Sequence, residues 1–503
     1  MQIGLYDSVR YIPEVGALHP RRMDGALGLR LKPSTEERPM KSYHSSIEPL
    51  ESRIAPASVI LTDVNGDHIK FTSSSSAFVA GDITTVPVGD GHHDAFVVNL
   101  SNAAFFNSNL TVSVTKVPGG DGQTYVGITA GANNLGTVNI GGDLGLLTGG
   151  AGGASATAIN SLTVNSIGRF PSVPPDVLVN SVINGSIKTL TVKGDVDGTY
   201  LTVNDNVGSI SIGGSLIGGD VDNDGFIYVK GTVGKISVTH DVRGGQGANS
   251  GSIYAQGNIG AVTVGGSIYG GNGSYGGEIG GATNVTSFAV AGSIYGGHGA
   301  DSGEIYAGYG GGTASIGKAT VGGSLIGGTG VNSGQLGNGG GAAKLTLGNV
   351  VIAQNLIGGD GADSGGVYAS GGSITKLAVK GSIIGGAGAS AGSIVAGSGT
   401  PSGTVSIAGS VFGGAGAGSG EISVSAGLQS LVLGGSLVGG GGADSGSILC
   451  SAGQITTLLK INGDVRGSTG ADSGYIVDTG GATPIIKGDI FAGSGTGSGT
   501  INT

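Results

Sequence analysis

Aliphatic residues recur at fixed intervals along the chain from about residue 210 to the end. The intervals are measured from the first residue of a small-residue pair, which we number position 0 of each repeat. Successive pairs begin 26, 26, 26, 31, 31, 27, 28, 26, 28 and 25 residues apart. The eleven first residues are Gly218, Gly244, Gly270, Gly296, Gly327, Gly358, Gly385, Gly413, Gly439, Gly467 and Ala492.

Three positions of every repeat hold an aliphatic residue. Position −6 holds Ile212, Val238, Val264, Val290, Val321, Ile352, Val379, Ile407, Leu433, Ile461 and Ile486. Position −2 holds Leu216, Val242, Ile268, Ile294, Leu325, Leu356, Ile383, Val411, Leu437, Val465 and Ile490. Position +9 holds Ile227, Ile253, Ile279, Ile305, Leu336, Val367, Ile394, Ile422, Ile448, Ile476 and Ile501.

Each of these columns predicts the inward face of a short strand, because side chains alternate between the two faces of a strand. A repeat of this length cannot bury its apolar face alone, so neighbouring repeats must stack. The pattern therefore predicts an all-β fold, a right-handed parallel β-helix with three strands in each coil of about 26–31 residues. At ~4.8 Å between neighbouring strands, eleven coils would form a rod of roughly 50 Å.

Glycine occupies position +7 in all eleven repeats. A position that is always glycine predicts a positive φ or a close approach of another backbone, as at a corner of the coil. The length of the repeat varies only in the connection between the third strand of one coil and the first strand of the next. The longest insertions are at 307–320 and 338–350. That edge of the rod is where a specific ligand would most readily be accommodated.

The chain divides into three parts by pattern. Residues 1–58 carry much of the Arg and Pro without apolar periodicity, which predicts a disordered targeting segment. Residues 59–134 contain short apolar runs separated by turn residues, which predicts a small β module that caps the solenoid. Residues 135–503 form the predicted parallel β-helix.

Composition narrows the classes of partner. The chain of 503 residues contains 110 glycines and a single cysteine, Cys450, and it has a formal net charge of −10. This charge disfavours a polyanion such as nucleic acid. Cys450 excludes an internal disulfide and falls at a position of small apolar residues, which predicts a core role. The pattern predicts no transmembrane segment.

Residues Ile47 to Ala57 include Leu50-Glu51-Ser52-Arg53. This segment resembles the Leu-Glu-Pro-Arg type motif near the start of many large exported bacterial repeat proteins, with Ser52 in place of the usual proline. The resemblance implies export to the cell exterior or the outer cell surface. Because the motif usually lies near the initiator, Met40 is an expected start. The predicted β-helix of residues 135–503 is similar to the passenger domains of autotransporters.

One column offers candidate metal ligands. The segment Gly296 to Glu304 resembles the calcium-binding nonapeptide of the repeats-in-toxin proteins, although glycine stands where that pattern has an apolar residue. The resemblance implies calcium as the cofactor, since carboxylate and amide oxygens one strand apart can share a hard cation. We expect instead that Asp and Asn at position +5 form tight turns and that no cofactor is bound, with calcium as the alternative. The candidate residues are Asp301, Asn332, Asp363, Asp444 and Asp472.

Other motifs predict little chemistry. Asp63 to Asp67 is typical of a hairpin turn and His92-His93-Asp94 of a polar turn. Glu278 and Glu304 are the acidic neighbours on one outward strand position, as in polysaccharide lyases and hydrolases that share the β-helix fold. Because no basic residue accompanies them in that column, we expect solvated surface residues and no catalytic site.

The sequence therefore predicts a non-catalytic, exported structural or adhesive protein that binds cell-surface or matrix components, polysaccharide included. The alternative is a carbohydrate-active β-helix enzyme. The sequence ends within the third strand of its eleventh coil, and an uncovered coil predicts end-to-end association or a longer natural chain.

Overall fold

A computed structural model describes residues 56–88, 94–153, 156–168, 178–337, 344–397 and 401–503. The described residues are almost entirely β-structure, with two short 3-10 helices at Ala80–Asp82 and Ala103–Phe105. From residue 125 onward every strand pairs in parallel with its neighbours in the ladder, which confirms the predicted parallel β-helix. No helix within these ranges is long and apolar enough to cross a membrane.

The first strand of each coil forms the first ladder. Ile210 pairs with Ile236 of the next coil, and this register repeats along the ladder. The strands are Leu110–Thr115, Leu135–Gly149, Thr157–Ile167, Ser186–Val192, Val207–Ile212, Val233–Val238, Ile259–Val264, Val285–Val290, Thr313–Val321, Lys344–Ile352, Ser373–Val379, Ser402–Ile407, Leu428–Leu433, Ile455–Ile461 and Ile485–Ile486.

Two further ladders complete the coil. The second ladder consists of Val196–Asp197, Leu216–Ile217, Val242–Arg243, Ile268–Tyr269, Ile294–Tyr295, Leu325–Ile326, Leu356–Ile357, Ile383–Ile384, Val411–Phe412, Leu437–Val438, Val465–Arg466 and Ile490–Phe491. The third ladder consists of Val179–Ile183, Thr199–Val203, Phe226–Val229, Ile253–Ala255, Ile279–Gly281, Ile305–Ala307, Leu336–Gly337, Val367–Ala369, Ile394–Ala396, Ile422–Val424, Ile448–Leu449, Ile476–Val477 and Ile501–Asn502.

The three aliphatic columns face inward, as the sequence predicts. Every member is buried except Ile486, Ile490 and Ile501, which belong to the last coil. The buried side chains form one continuous core that also contains Phe71 of the N-terminal part. Burial of stacked aliphatic side chains is therefore the main favourable contribution to this fold.

A polar ladder follows the corner between the first and second strands, at position −3. The side-chain oxygen of each residue accepts the backbone N–H of the equivalent residue in the next coil, as Asp241 does from Ser267 at 2.8 Å. Ser267 in turn accepts from the N–H of Ser293 at 3.1 Å. The corner thus satisfies backbone donors that the strands leave unpaired.

The N-terminal part begins with antiparallel strands. Ala57–Thr62 pairs with His68–Ser73, which pairs with Leu110–Thr115, and Ile83–Pro87 pairs with Asp94–Asn99. Parallel pairing starts before residue 135, because Leu110–Thr115 stacks on Leu135–Gly149 and Asp94–Asn99 on Tyr125–Thr129.

The limits predicted for the three parts of the chain stay predictions. The Leu50 to Arg53 motif, the Met40 start and residues 1–55 of the segment 1–58 predicted to be disordered lie outside the described residues, as do His92 and His93. Ala57 and Ser58, at the end of that predicted segment, lie in the first strand.

Candidate functional site

A tight turn between the second and third strands positions the outer face of the third ladder. In one coil the hydroxyl of Ser302 accepts the N–H of Gly297 at 3.1 Å and donates to the carbonyl of Gly299 at 2.7 Å. Gly303 follows with a φ of +65°, and position +7 has a positive φ in all eleven coils, as predicted. The serine at position +6 accepts the same bond in other coils: Ser250, Ser333, Ser364, Ser419, Ser445, Ser473 and Ser498.

The five candidate metal ligands all lie in this turn. Asp301, Asn332, Asp363, Asp444 and Asp472 have left-handed backbones with φ between +50° and +56°. The Asn332 side-chain amide donates to Oδ1 of Asp301 at 2.9 Å, which joins two neighbouring coils. Within the described ranges, no group of three or more His, Cys, Asp or Glu side chains is arranged to hold a metal ion. Calcium binding by this column stays a prediction.

Glu278 and Glu304 are buried, which corrects the expectation that they are solvated surface residues. Only 4% of Glu278 and 0% of Glu304 is exposed. The Tyr306 hydroxyl donates to Oε1 of Glu278 at 3.1 Å, and the Gln335 amide donates to Oε2 of Glu304 at 2.9 Å. Oε2 of Glu278 and Oε1 of Glu304 are buried without a hydrogen-bond partner.

A glycine explains how the two carboxyl groups become covered. Gly280 leaves an outward position empty, and the Tyr306 ring lies across it, so that a Cβ on Gly280 would stand 2.4 Å from the ring. The ring seals the carboxyl groups from solvent. Burial raises the pKa of both Glu278 and Glu304 well above the ordinary value; the charge of Glu304 raises the pKa of Glu278 further, and the nearby Asp301 raises the pKa of both. Both groups therefore favour their neutral, protonated forms.

Tyrosines at position +10 extend this face. Tyr228 and Tyr254 stack with ring centroids 5.8 Å apart, and Tyr254 stacks on Tyr306 at 6.4 Å. Tyr309, in the longer connection, makes an edge contact with Tyr254 at 6.2 Å. Burial raises the pKa of Tyr254 to about 12. The sequence carried a signal for this column, because tyrosine recurs at one offset, at Tyr228, Tyr254, Tyr306 and Tyr368.

A cavity of about 440 Å³ opens on the same face, farther along the rod. Burial raises the pKa of Glu421 to about 7 and also raises the pKa of Asp363. The Tyr368 hydroxyl donates to the carbonyl of Ser390 at 2.5 Å. The lining residues are Asn332, Gln335, Asp363, Tyr368, Ser370, Ser390, Ser393, Val395, Gly418, Glu421 and Ser423.

The other residues considered from the sequence, Cys450 and the Asp residues of the predicted turns, lie in the core, in a turn or in a strand. Cys450 is buried, and burial raises the pKa of its thiol to about 12, so the reactive thiolate is disfavoured. Asp63 and Asp67 form a turn in which the Asp67 carboxylate accepts the N–H groups of Val117 and Gly122 at 2.7 and 2.6 Å. Asp94 begins a strand.

The structure therefore brings together Asp301, Asn332, Glu304 and Asp363 along the turns that precede the third ladder. Asp444 and Asp472 lie farther along the column at position +5. Sequence reasoning did not identify Gln335, Tyr306, Tyr368 or the cavity. Comparison with protein-family models, with curated proteins and with solved structures finds no match to this chain.

Proposed function

We propose that this chain is an exported, non-catalytic structural or adhesive protein, displayed outside the cell or at the outer cell surface as a stiff β-solenoid rod. The observation that carries the proposal is the continuity of the ladders, the first of which joins fifteen strands of the described residues. Bending such a rod would distort hydrogen bonds and core packing in many coils at once.

Two further features support this function. The Leu50 to Arg53 segment resembles the motif of exported repeat proteins. The carboxyl groups of Glu278 and Glu304 are sealed beneath Tyr306, so they cannot contact a large substrate. The expected partners are cell-surface or matrix components, including polysaccharide.

Cell fractionation tests the location. We expect the full-length protein in the outer-surface or culture fraction, and we expect protease added to intact cells to remove it. A cytosolic marker protein processed in the same samples is the control. Recovery of the protein only with that marker, protected from added protease, would contradict the proposal.

A second candidate is a carbohydrate-active β-helix enzyme, and one observation favours it. Asp363 and Glu421 both line the cavity, and a carboxyl group with a pKa of about 7 can act as a general acid near neutral pH. These residues replace Glu278 and Glu304 as the groups that would act on a substrate.

A reducing-end assay over a panel of polysaccharides separates the two candidates. The structural proposal expects no turnover above that of the Glu421→Gln variant. Turnover by the unmodified protein that Glu421→Gln abolishes, with an unchanged melting temperature, would establish the enzyme instead.

A further inference from the structure

The cavity lies where smaller residues follow larger ones on the same face of the rod. At position +8, Glu278 and Glu304 are followed by Gln335, Gly366 and Ser393. The ring of Tyr368 lies over Gly366, where an added Cβ would stand 2.5 Å from the ring. Residues from four successive coils line the cavity beside this ring.

The walls of the cavity are held rigidly by their own hydrogen bonds. The Ser393 hydroxyl accepts the N–H of Glu421 at 3.0 Å and donates to the carbonyl of Gly418 at 2.9 Å. The Tyr368 hydroxyl is fixed on Ser390 of the next coil. A preorganised wall lowers the entropic cost of binding a ligand.

The wall offers both hydrogen-bond acceptors and donors. One N–H of each side-chain amide of Asn332 and Gln335 is engaged with Asp301 or Glu304, which leaves a second N–H donor and the carbonyl oxygen of each amide for a ligand. Glu421 adds a carboxyl group, which shares a hydrogen bond with the Ser423 hydroxyl. This mixture suits a ligand whose groups both donate and accept, as hydroxyl groups do.

The charge of the cavity excludes other ligand classes. Its described lining contains carboxyl groups and no Lys, Arg or His, which disfavours an anion. A hard cation would need more converging carboxylates than Asp363 and Glu421 supply, and the described residues contain no such group. An uncharged, hydroxyl-rich ligand remains, and the Tyr368 ring can add apolar contact with the face of a sugar.

We propose that this cavity is a binding site for a neutral oligosaccharide, holding the sugar rings of a glycan against the third ladder between Asn332 and Ser423. Its volume of about 440 Å³ lies within the range of small-molecule sites. The inference rests on the proposed adhesive function, for which it names the site and the class of ligand.

Isothermal titration of the full chain with neutral trisaccharides built from glucose, galactose, mannose and N-acetylglucosamine tests the site. An oligogalacturonate and calcium chloride alone serve as the anionic and cationic probes. We expect binding of at least one neutral trisaccharide and of neither charged probe. No binding by any neutral trisaccharide, or binding of calcium alone in the cavity, overturns the proposal.

Substitutions at position +10 locate the binding. Ser423→Tyr and Val395→Tyr each place a ring in the cavity at a position where other coils already carry tyrosine. Val477→Tyr is the matched control, two coils beyond Ser423 in the same column. We expect the two cavity variants to weaken binding about tenfold or more, equal to about 1.4 kcal/mol, and the control to bind normally.

Unchanged binding in both cavity variants, with unchanged melting temperatures, overturns the assignment of the site. The result is distinguishable from failure of the proposed function. Sugar binding by a protein found only in the cytosol would contradict surface display, whereas a surface protein without sugar binding would contradict the site alone.

Discussion

The hydroxyl of Tyr306 donates a hydrogen bond of 3.1 Å to Oε1 of Glu278, a residue 28 positions earlier in the chain. The contact exists because Tyr306 belongs to the coil stacked directly on that of Glu278, where Ile305 pairs with Ile279. It closes solvent access to Glu278 and to its neighbour Glu304, so a pair of acidic residues on an outward position becomes a buried pair.

This pair predicts stability that decreases as the pH rises. The folded pKa values of Glu278 and Glu304 are raised above the ordinary value of 4.5. The contribution of these two groups to the free energy of unfolding is therefore fully present below pH 4.5. It is lost as the pH rises through the raised pKa values, because ionisation then has to occur in a buried site. We expect the melting temperature to fall progressively as the pH rises from 4.5 through the raised pKa values.

Glutamine substitution identifies the source of that fall. Glu278→Gln and Glu304→Gln keep the shape of the side chain and remove the ionisation, so each should melt higher than the unmodified protein at alkaline pH. Asp360→Asn changes an exposed carboxyl group in an equivalent turn. It is the control and should leave the pH profile of the melting temperature unchanged. Identical profiles for all four proteins would contradict the buried pair.

The core columns predict a sharp contrast within one coil. Ile394 is fully buried at position +9, whereas the side chain of Ile384 is 37% exposed. Ile394→Asp places a carboxylate among stacked aliphatic side chains and should cost several kcal/mol. Ile384→Asp should cost less, about 1 kcal/mol, because its side chain lies on the outer face. Chemical denaturation measures both, and equal effects would refute the inward assignment.

The turn predicts opposite effects of substitution at positions +7 and +5. Gly365 has a φ of +70°, and a Cβ there would stand 2.0 Å from the carbonyl oxygen of Ile357. Gly365→Ala should therefore lower stability by more than about 1 kcal/mol. Asp444 has a φ of +54°, so Asp444→Gly should melt at or above the temperature of the unmodified protein. A harmless Gly365→Ala would show that the turn adopts another conformation.

Calcium gives a separate test of the column at position +5. Because Asn332 already donates to Asp301 and the backbone is left-handed throughout the column, we expect a turn role and no effect of chelator on the melting temperature. The calcium hypothesis predicts instead a loss of several degrees on chelation. In that case Asp363→Ala should remove the response and Asp360→Ala should keep it.

The sequence contained most of the fold but only part of the candidate site. The columns through Ile227 and Leu216 are predictable because each stacked coil places the same position in the same buried environment. The aliphatic residue therefore recurs at that position in all eleven repeats. Burial of Glu278 was not predictable, since it depends on a single glycine, Gly280, that lets the ring of Tyr306 fold across. The cavity likewise lies beside the ring of Tyr368, which folds across Gly366, the one glycine at position +8.

The central claim is that successive repeats stack, so that residues a whole coil apart share one face. Double electron–electron resonance between spin labels on the outer face of the second ladder tests it, with Cys450 replaced by alanine. Arg243 and Ile384 are five ladder steps apart, and Arg243 and Arg466 are eight. At ~4.8 Å per step we expect distances of about 24 and 38 Å. Distances that do not increase with the number of coils would contradict the stacked structure.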